Sequence, residues 1–337
     1  MSKQIVINGR FLIQRITGVQ RYAREICLEL DKLIKHNEIV MAVPAETTDI
    51  PSYKNIKVVK VGKFHNRLWE QISFPLYVAK MNAISLNLCN ASPLINPGIV
   101  CIHDMKIKAV PQFFSKNFLY WYRLLFFNTV KRAKMIITVS EFSKSEILKY
   151  YSVTTKKIIV IPNGWQHFDR ISFDENTLTK YGLKKNTYNF ALSSLEPNKN
   201  FKWIAESALR NPDDLYVVAG SINKKVFTNG LGFDCPNNMK LIGYVTDEEA
   251  KTLMRDCKAF LFPSIYEGFG IPPLEAMSAG AKRIIVSDIP VMHEIFGDSV
   301  DYIGKEYSIP KELRNDNKLE LFSWEKSSKI LFDVLKN

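Results

Sequence analysis

The sequence predicts an α/β protein of two doubly wound halves, each a parallel sheet covered by helices. Short apolar, β-branched runs alternate with segments of helical spacing, and the alternation restarts after about residue 186. The 337 residues exceed what one hydrophobic core usually serves. A composition of 46% hydrophobic and 24% charged residues suits packed cores and excludes a disordered chain.

IVING (5–9) reads as a strand ending in a turn, and GVQRYAREICLELDKL (18–33) follows with helical spacing. GIVCIHD (98–104) and MIITVS (135–140) are short strands delivering polar residues at their carboxyl ends, and KKIIVIPNG (156–164) is stopped by Pro-Asn-Gly. Polar residues between Asn163 and about Asn186 read as the linker. The second half offers strands at 188–194, 215–221, 239–245, 258–264 and 281–287, with a helix from about Asn200. The final segment is helical, with an apolar stripe through Leu321, Trp324, Ile330, Leu331 and Leu335. The expected domains are 1–168 and 169–321, with the helix at about 322–337 packing back on the first. Doubly wound sheets bind ligands outside the carboxyl ends of their strands, so two such faces confronting each other would put the site in the cleft between them.

No run reaches the roughly 18 apolar residues of a membrane span; Phe113 to Val130 comes nearest and is interrupted by Lys116 and Arg123. The opening MSKQIVINGR has no signal-peptide core. Cys27, Cys89, Cys101, Cys235 and Cys257 are odd in number and form no CxxC pair, which argues against disulfides and structural zinc and fits a reducing cytosol. The five histidines form no HxxxH pair, so no metal site is expected.

The net charge of +12 is one-sided. Residues 1–170 hold 25 Lys/Arg against 11 Asp/Glu, or +14, and residues 171–337 hold 21 against 23, or −2. A basic half implies an anionic partner, whether nucleic acid, acidic lipid or phosphorylated substrate, although lysine-rich halves also serve plain solubility. FFSKNFLYWYRLLFFNTVKRAK (113–134) mixes aromatic side chains with Lys116, Arg123, Lys131, Arg132 and Lys134. That mixture fits an anionic membrane interface, and equally a buried helix ending in a basic turn.

The chemistry concentrates in PSIYEGFGIPPLEAMSAG (263–280), where Glu267 and Glu275 flank a Gly/Pro turn. Glycines let a ligand approach the backbone, Pro272 and Pro273 suit the first turn of a helix, and Gly280 suits its end. The pattern predicts Glu267 on a loop and Glu275 just inside a helix N-terminus, near free amides that attract phosphate while the carboxylates grip sugar hydroxyls. Glu275 could equally serve only to complement the helix dipole.

These residues resemble the E-x7-E motif of the retaining, GT-B-fold glycosyltransferases of family 4. ALSSLEPNKNFKWIAESA is similar to that family's strand–LEPRKN–helix segment, with Glu196, Pro197, Lys199 and Asn200 matching. IHD (102–104), TVSEFSKSEI (138–147) and IPNG (161–164) resemble its N-domain landmarks. INGRFLIQRITGVQRYAREI and FHNRLWEQISFP (64–75) resemble members that build bacterial surface polysaccharide, including O-antigen. The resemblance implies a GT-B architecture of two Rossmann-like domains facing across a cleft, residues 1–168 binding the acceptor and 169–321 the nucleotide sugar. It implies Glu267 on the donor sugar, Glu275 on the ribose, Lys199 on the diphosphate, and His103 facing the donor sugar from the first domain. Gly18, Ser193, Glu196, Gly268, Phe269 and Gly270 would line the donor. Asp104 could orient His103, which also has a structural reading; Ser140 and Asn163 could line the cleft or serve only as caps and turns. The chain departs from the family pattern at Asn198 and Ser193, where relatives carry arginines, and in Ala281-Lys282-Arg283 after Gly280. Lys202 or Arg283 are then the candidates for a second phosphate cation.

The implied reaction moves a hexosyl unit from a nucleotide-diphosphate sugar to a glycan hydroxyl, with retention and, as is general for the family, without a metal; the sequence agrees in offering no DxD triplet. The acceptor is expected to be lipid-linked and the enzyme peripheral on the inner face of the plasma membrane, with no nucleic-acid partner. The rival readings are a GT-B-fold sugar-nucleotide epimerase, which would lack the LEPxKN and E-x7-E pairing, and a non-catalytic protein binding membrane or nucleic acid, for which no nucleic-acid motif is present.

Overall fold

The structure, a computed structural model, describes residues 4–192, 197–220, 235–303 and 318–336. The chain divides into two compact units, one running to Gly164 and resuming at Phe322, the other Trp165–Leu321.

The first unit is built on a seven-stranded parallel sheet. Its strands are β1 (Ile5–Asn8), β2 (Ile39–Val43), β3 (Lys57–Lys60), β4 (Ile84–Asn87), β5 (Ile99–Cys101), β6 (Met135–Thr138) and β7 (Ile158–Val160). They lie in the order β3-β2-β1-β4-β5-β6-β7, so the winding direction reverses between β1 and β4. Gly9 follows β1 where an added Cβ would lie 2.6 Å from Val43 Cγ1 and 2.8 Å from the Ala42 carbonyl oxygen. Only glycine lets the chain turn there against β2. The helix Gly18–Leu33 is opened by a Thr17/Gln20 capping box and buries Tyr22, Ala23, Ile26, Cys27 and Leu30.

The sequence reading omits β2, β3 and β4. β3 is an edge strand with exposed lysines at both ends, and β4 buries Ser85 and Asn87, whose side chains reach the Pro97 carbonyl oxygen. The closing helix also differs from expectation. Leu321 lies in a short turn and is 61% exposed, and Ile330 is 39% exposed. The buried face of the helix Trp324–Lys336 is Trp324, Ser327, Ser328 and Leu331. The serines fit because each finds a carbonyl: Ser328 Oγ donates to Ile26 O at 2.8 Å and Ser327 Oγ to Pro162 O at 2.7 Å.

The second unit holds β8 (Tyr188–Leu192), β9 (Leu215–Ala219), β10 (Met239–Gly243), β11 (Ala259–Phe262), β12 (Ile284–Val286) and β13 (Asp301–Tyr302). They pair in parallel in the order β10-β9-β8-β11-β12-β13, reversing between β8 and β11. The helix Phe201–Arg210 packs Phe201, Ile204, Ala205 and Ala208 on the strand residues Tyr216, Val218 and Leu261. Lys251 is buried, yet its ammonium donates to the Phe168 and Ile171 carbonyls at 2.7 and 2.8 Å, tying the segment after Trp165 to the helix Asp247–Asp256. Among the described residues no helix is long and apolar enough to cross a membrane.

Candidate active site

The crevice of a doubly wound sheet opens where the strand order reverses. In the second unit that point is flanked by the segments following β8 and β11, which carry Lys199 and Glu267. Although 68 residues apart, the two side chains meet: Lys199 Nζ donates to Glu267 Oε1 at 2.7 Å. The ammonium also lies 5.2 Å from the Phe262 ring centroid. Ile265 N–H donates to Asn198 O at 2.9 Å and fastens one loop to the other. Among the described residues Asn198 Nδ2 and Ser264 Oγ are buried here without a hydrogen-bond partner, and a ligand could complete them.

Gly268, Phe269 and Gly270 are buried and form the turn into the helix Ile271–Ala279. Gly270 has φ 107°, a backbone conformation that glycine alone adopts without strain. Pro272 and Pro273 fall in the first turn, and Gly280 ends the helix in the left-handed region, as the spacing predicts. Glu275, however, lies more than a turn inside the helix, and the two prolines remove amides that would otherwise face a ligand. Its carboxylate accepts instead from His167 Nε2 at 2.8 Å. His167 is buried, with its side chain 1% exposed, and sequence reasoning missed it because its partner lies 108 residues away. Only the Pro-Asn-Gly turn shortly before it signals a chain about to enter the second unit.

The remaining candidates are placed as follows. His103 is buried in the first unit, its Nε2 donating to Leu88 O at 2.8 Å and its ring edge-on to Tyr22. Burial pushes its pKa below the ordinary histidine value, against the opposing pull of the Leu88 carbonyl and of Asp104. The ring is therefore neutral at neutral pH, with Nδ1 as the nitrogen not committed to Leu88. Asp104 does not orient it by a hydrogen bond; its carboxylate accepts from the Lys106 amide at 2.9 Å, a local turn that competes successfully for it. Gly18 is exposed at the first position of its helix. Ser140 caps the helix Glu141–Tyr150 by accepting from Ser143 N, and Asn163 is buried after β7. Ser193 and Glu196 lie outside the described residues.

Of the two suggested second cations, Arg283 is not placed for that role. Arg283 immediately precedes β12, at the opposite end of the parallel sheet from the Glu267 loop, and pairs with Asp301 at 2.7 Å. Lys202 is drawn along its own helix toward Glu206, at 3.6 Å. Lys199 is the cation paired at the crevice. Among the described residues no cluster of three His, Cys, Asp or Glu could hold a metal ion, and all five cysteines are free.

Each unit carries a Rossmann-like parallel sheet, the two-domain GT-B fold. The comparisons agree. Residues 16–166 match the model described as Glycosyltransferase Family 4, and residues 174–316 the model described as Glycosyl transferases group 1. Together the two models span most of the chain, which belongs to the family 4 and group 1 glycosyltransferases that they describe. It is 31% identical to the O-antigen chain mannosyltransferase RfbU of Salmonella typhimurium over 218 residues, 64% of this chain and 58% of that protein. It is 27% identical to the O-antigen chain mannosyltransferase B of Escherichia coli over 212 residues, 60% of this chain and 55% of that one. The matched stretch thus spans little more than half of these relatives. In fold the chain is similar to sucrose-phosphate synthase from Thermosynechococcus elongatus, with a TM-score of 0.67 at 12% identity, covering 99% of this chain and 90% of that one.

Proposed function

We propose that the protein transfers a hexosyl unit, with retention of the anomeric configuration and without a metal, from a nucleotide-diphosphate sugar to a hydroxyl of a lipid-linked glycan in bacterial surface-polysaccharide synthesis. The Lys199–Glu267 pair at the second switch point carries this reading. A glycosyl bond that breaks leaves negative charge on the diphosphate and positive character on the sugar. A paired ammonium and carboxylate supply complementary charge to both, and in a buried crevice they do so without reorganising solvent. Glu275, held by His167, takes the ribose hydroxyls. The mannosyltransferase relatives put mannose nucleotides first in the test: thermal stabilisation by UDP-, GDP- and dTDP-sugars, where a binder raises apparent stability by RT ln(1 + [L]/Kd). Product analysis then reads the anomer. Conversion of the donor sugar without any acceptor would favour the epimerase instead, and activity lost with EDTA and restored by Mg²⁺ would overturn the metal-free mechanism.

The ribose role gives its own prediction. Glu275→Ala should weaken nucleoside diphosphate binding about tenfold to a hundredfold by calorimetry, the cost of one charged hydrogen bond. His167→Gln should weaken it less, and the double variant should match Glu275→Ala, because His167 acts through Glu275. Additive losses would mean that His167 acts on its own.

The same reading places the enzyme on an anionic membrane. The helix Lys116–Arg132 is two-sided: Leu125, Phe126, Thr129 and Val130 are buried, whereas Tyr120, Leu124 and Phe127 are 76, 43 and 49% exposed among exposed Lys116, Arg123 and Lys131. One face is thus that of a buried helix, and the other supports the membrane reading. Aromatic side chains among cations suit a charged interface, each cation contributing about 1 kcal/mol on an anionic surface. The protein should pellet with anionic vesicles at low salt, release at high salt and ignore neutral vesicles. Replacing Lys131, Arg132 and Lys134 with Ser should weaken pelleting without changing donor affinity. Indifference to anionic vesicles at low salt would remove the membrane from the proposal.

A further inference from the structure

The first sheet carries a groove at the end opposite its crevice, and the transfer reaction makes no use of it. The groove lies at the amino ends of β4, β5 and β6, between the helix Phe74–Lys80 and the loop 93–98, and encloses about 560 Å³. Its wall is mostly apolar, with Pro75, Leu76, Val78 and Ile95 on it, and among the described residues Arg132 and Lys134 are the only charged members of the lining. Leu76 is 66% and Ile95 69% exposed, the highest exposures of any leucine or isoleucine among the described residues. The loop that presents Ile95 is firmly held. Gln71 grips it twice, Nε2 donating to Ser92 O and Oε1 accepting from Leu94 N, both at 2.9 Å. Asn128 Nδ2 donates to Leu94 O at 2.6 Å, and Ser85 Oγ to Pro97 O at 2.9 Å. Fixed walls around an apolar recess are preorganised for a ligand, because little ordering entropy remains to be lost on binding.

We propose that this groove docks one helix of a partner protein, a helix whose apolar stripe fills the recess and whose carboxylates meet Arg132 and Lys134. Charge complementarity selects the sign. Neither cation makes an ion pair among the described residues, and no carboxylate lines the groove to hold them. Backbone accounting selects the helix. β4 is paired on both edges, by β1 and β5, so no strand can be added here. Gln71, Ser85 and the carbonyls of Ser92, Leu94 and Pro97 are already hydrogen-bonded within the protein, so the walls leave little for the amides of an extended segment. A helix satisfies its own backbone and brings only side chains. A second copy of this chain fits worse: a two-fold contact would set these cations against their own counterparts, in a chain of net charge +12. A bilayer suits the projecting side chains of the helix Lys116–Arg132, whereas a recess with fixed walls needs anchors that enter it. Groove and crevice lie at opposite ends of the sheet, so a docked partner leaves the crevice open. Docking of this kind does not depend on the transfer reaction.

The test is fluorescence anisotropy on the full chain with a labelled peptide carrying leucines at helical spacing and glutamates elsewhere. Two control peptides replace the glutamates with lysines, or the leucines with serines. The wild type should bind the Leu/Glu peptide saturably and about tenfold or more tightly than either control. Leu76→Ser and Ile95→Ser should each weaken it severalfold, and together about tenfold or more. Both positions are exposed, so the melting temperature should not move. The double variant Arg132→Glu/Lys134→Glu should reverse the preference, taking the Leu/Lys peptide over the Leu/Glu one. Nucleotide-sugar turnover should stay within about twofold in the serine variants, and in the wild type with the peptide bound. A Leu/Glu peptide that fails to bind, that binds no better than the controls, or that keeps its affinity in the serine double variant overturns the inference. So does a charge-reversed variant that keeps the wild-type preference. Serine variants that lose pelleting with anionic vesicles, while no peptide binds, would make the groove a membrane contact and remove the partner helix. A wild type without nucleotide-sugar turnover defeats the transferase reading and leaves the peptide measurements to decide the groove.

Discussion

Glu267→Ala is expected to lower the turnover of sugar transfer by about a thousandfold or more, and Glu267→Gln by nearly as much, with free nucleoside diphosphate affinity unchanged or slightly raised. The asymmetry follows from the site. Glu267 is a buried carboxylate on the loop after β11, and its partner is the cation assigned to the diphosphate. Removing the carboxylate takes away the group that opposes charge on the reacting sugar. It also frees Lys199 from a competing anion, so nucleotide binding has nothing to lose. Glutamine keeps the shape and a hydrogen-bonding oxygen but not the charge, so it separates electrostatics from packing. Calorimetry with the nucleoside diphosphate and steady-state kinetics decide the matter together. A variant whose nucleotide affinity collapses along with its turnover would move Glu267 from the sugar to the nucleotide.

Much of this site is legible in the chain because its parts are local. Glycine at 270, prolines at 272 and 273 and glycine at 280 dictate a turn, a helix start and a helix stop through backbone sterics alone, and the structure has each in place. The strands that bracket the second crevice are apolar runs of four and five residues, readable for the same reason. What escapes is long-range or disguised. No spacing rule brings Lys199 onto Glu267 or His167 onto Glu275; strand order does that, and strand order is a property of the packed sheet. β4 escapes because its buried Ser85 and Asn87 look like loop residues until their backbone partners are known. Glu275 falls deeper in its helix than the reading near free amides allowed, since the prolines that start the helix also consume its first turn. The stripe on the closing helix failed for a related reason. Serines 327 and 328 can be buried once carbonyls meet them, which rotates the inner face away from Leu321 and Ile330.

Lys199→Ala should cost turnover about a hundredfold or more and donor affinity much less, because charge on the diphosphate grows as the glycosidic bond breaks. The structure strengthens this expectation by removing one alternative, since Arg283 lies at the far end of its strand. It also adds a consequence for stability. With Lys199 gone, Glu267 is left as a carboxylate whose side chain is only 11% exposed, without the ammonium that lies 2.7 Å away in the wild type. Taking one charged hydrogen bond from a buried carboxylate costs about 1–3 kcal/mol, which in a chain of this size lowers the melting temperature by a few degrees. Removing both partners should undo the stability loss but not the kinetic one. The double variant Lys199→Ala/Glu267→Ala is therefore expected to melt above Lys199→Ala and to turn over no faster than the slower of the two single variants. That split separates a pair that merely staples two loops from a pair that performs the reaction. A staple would give a double variant recovering stability and activity together. If instead Lys199→Ala retained most of its turnover, the diphosphate would have to be held by backbone amides and polar groups such as Asn198, whose side-chain nitrogen is buried beside the same loop with no hydrogen-bond partner among the described residues.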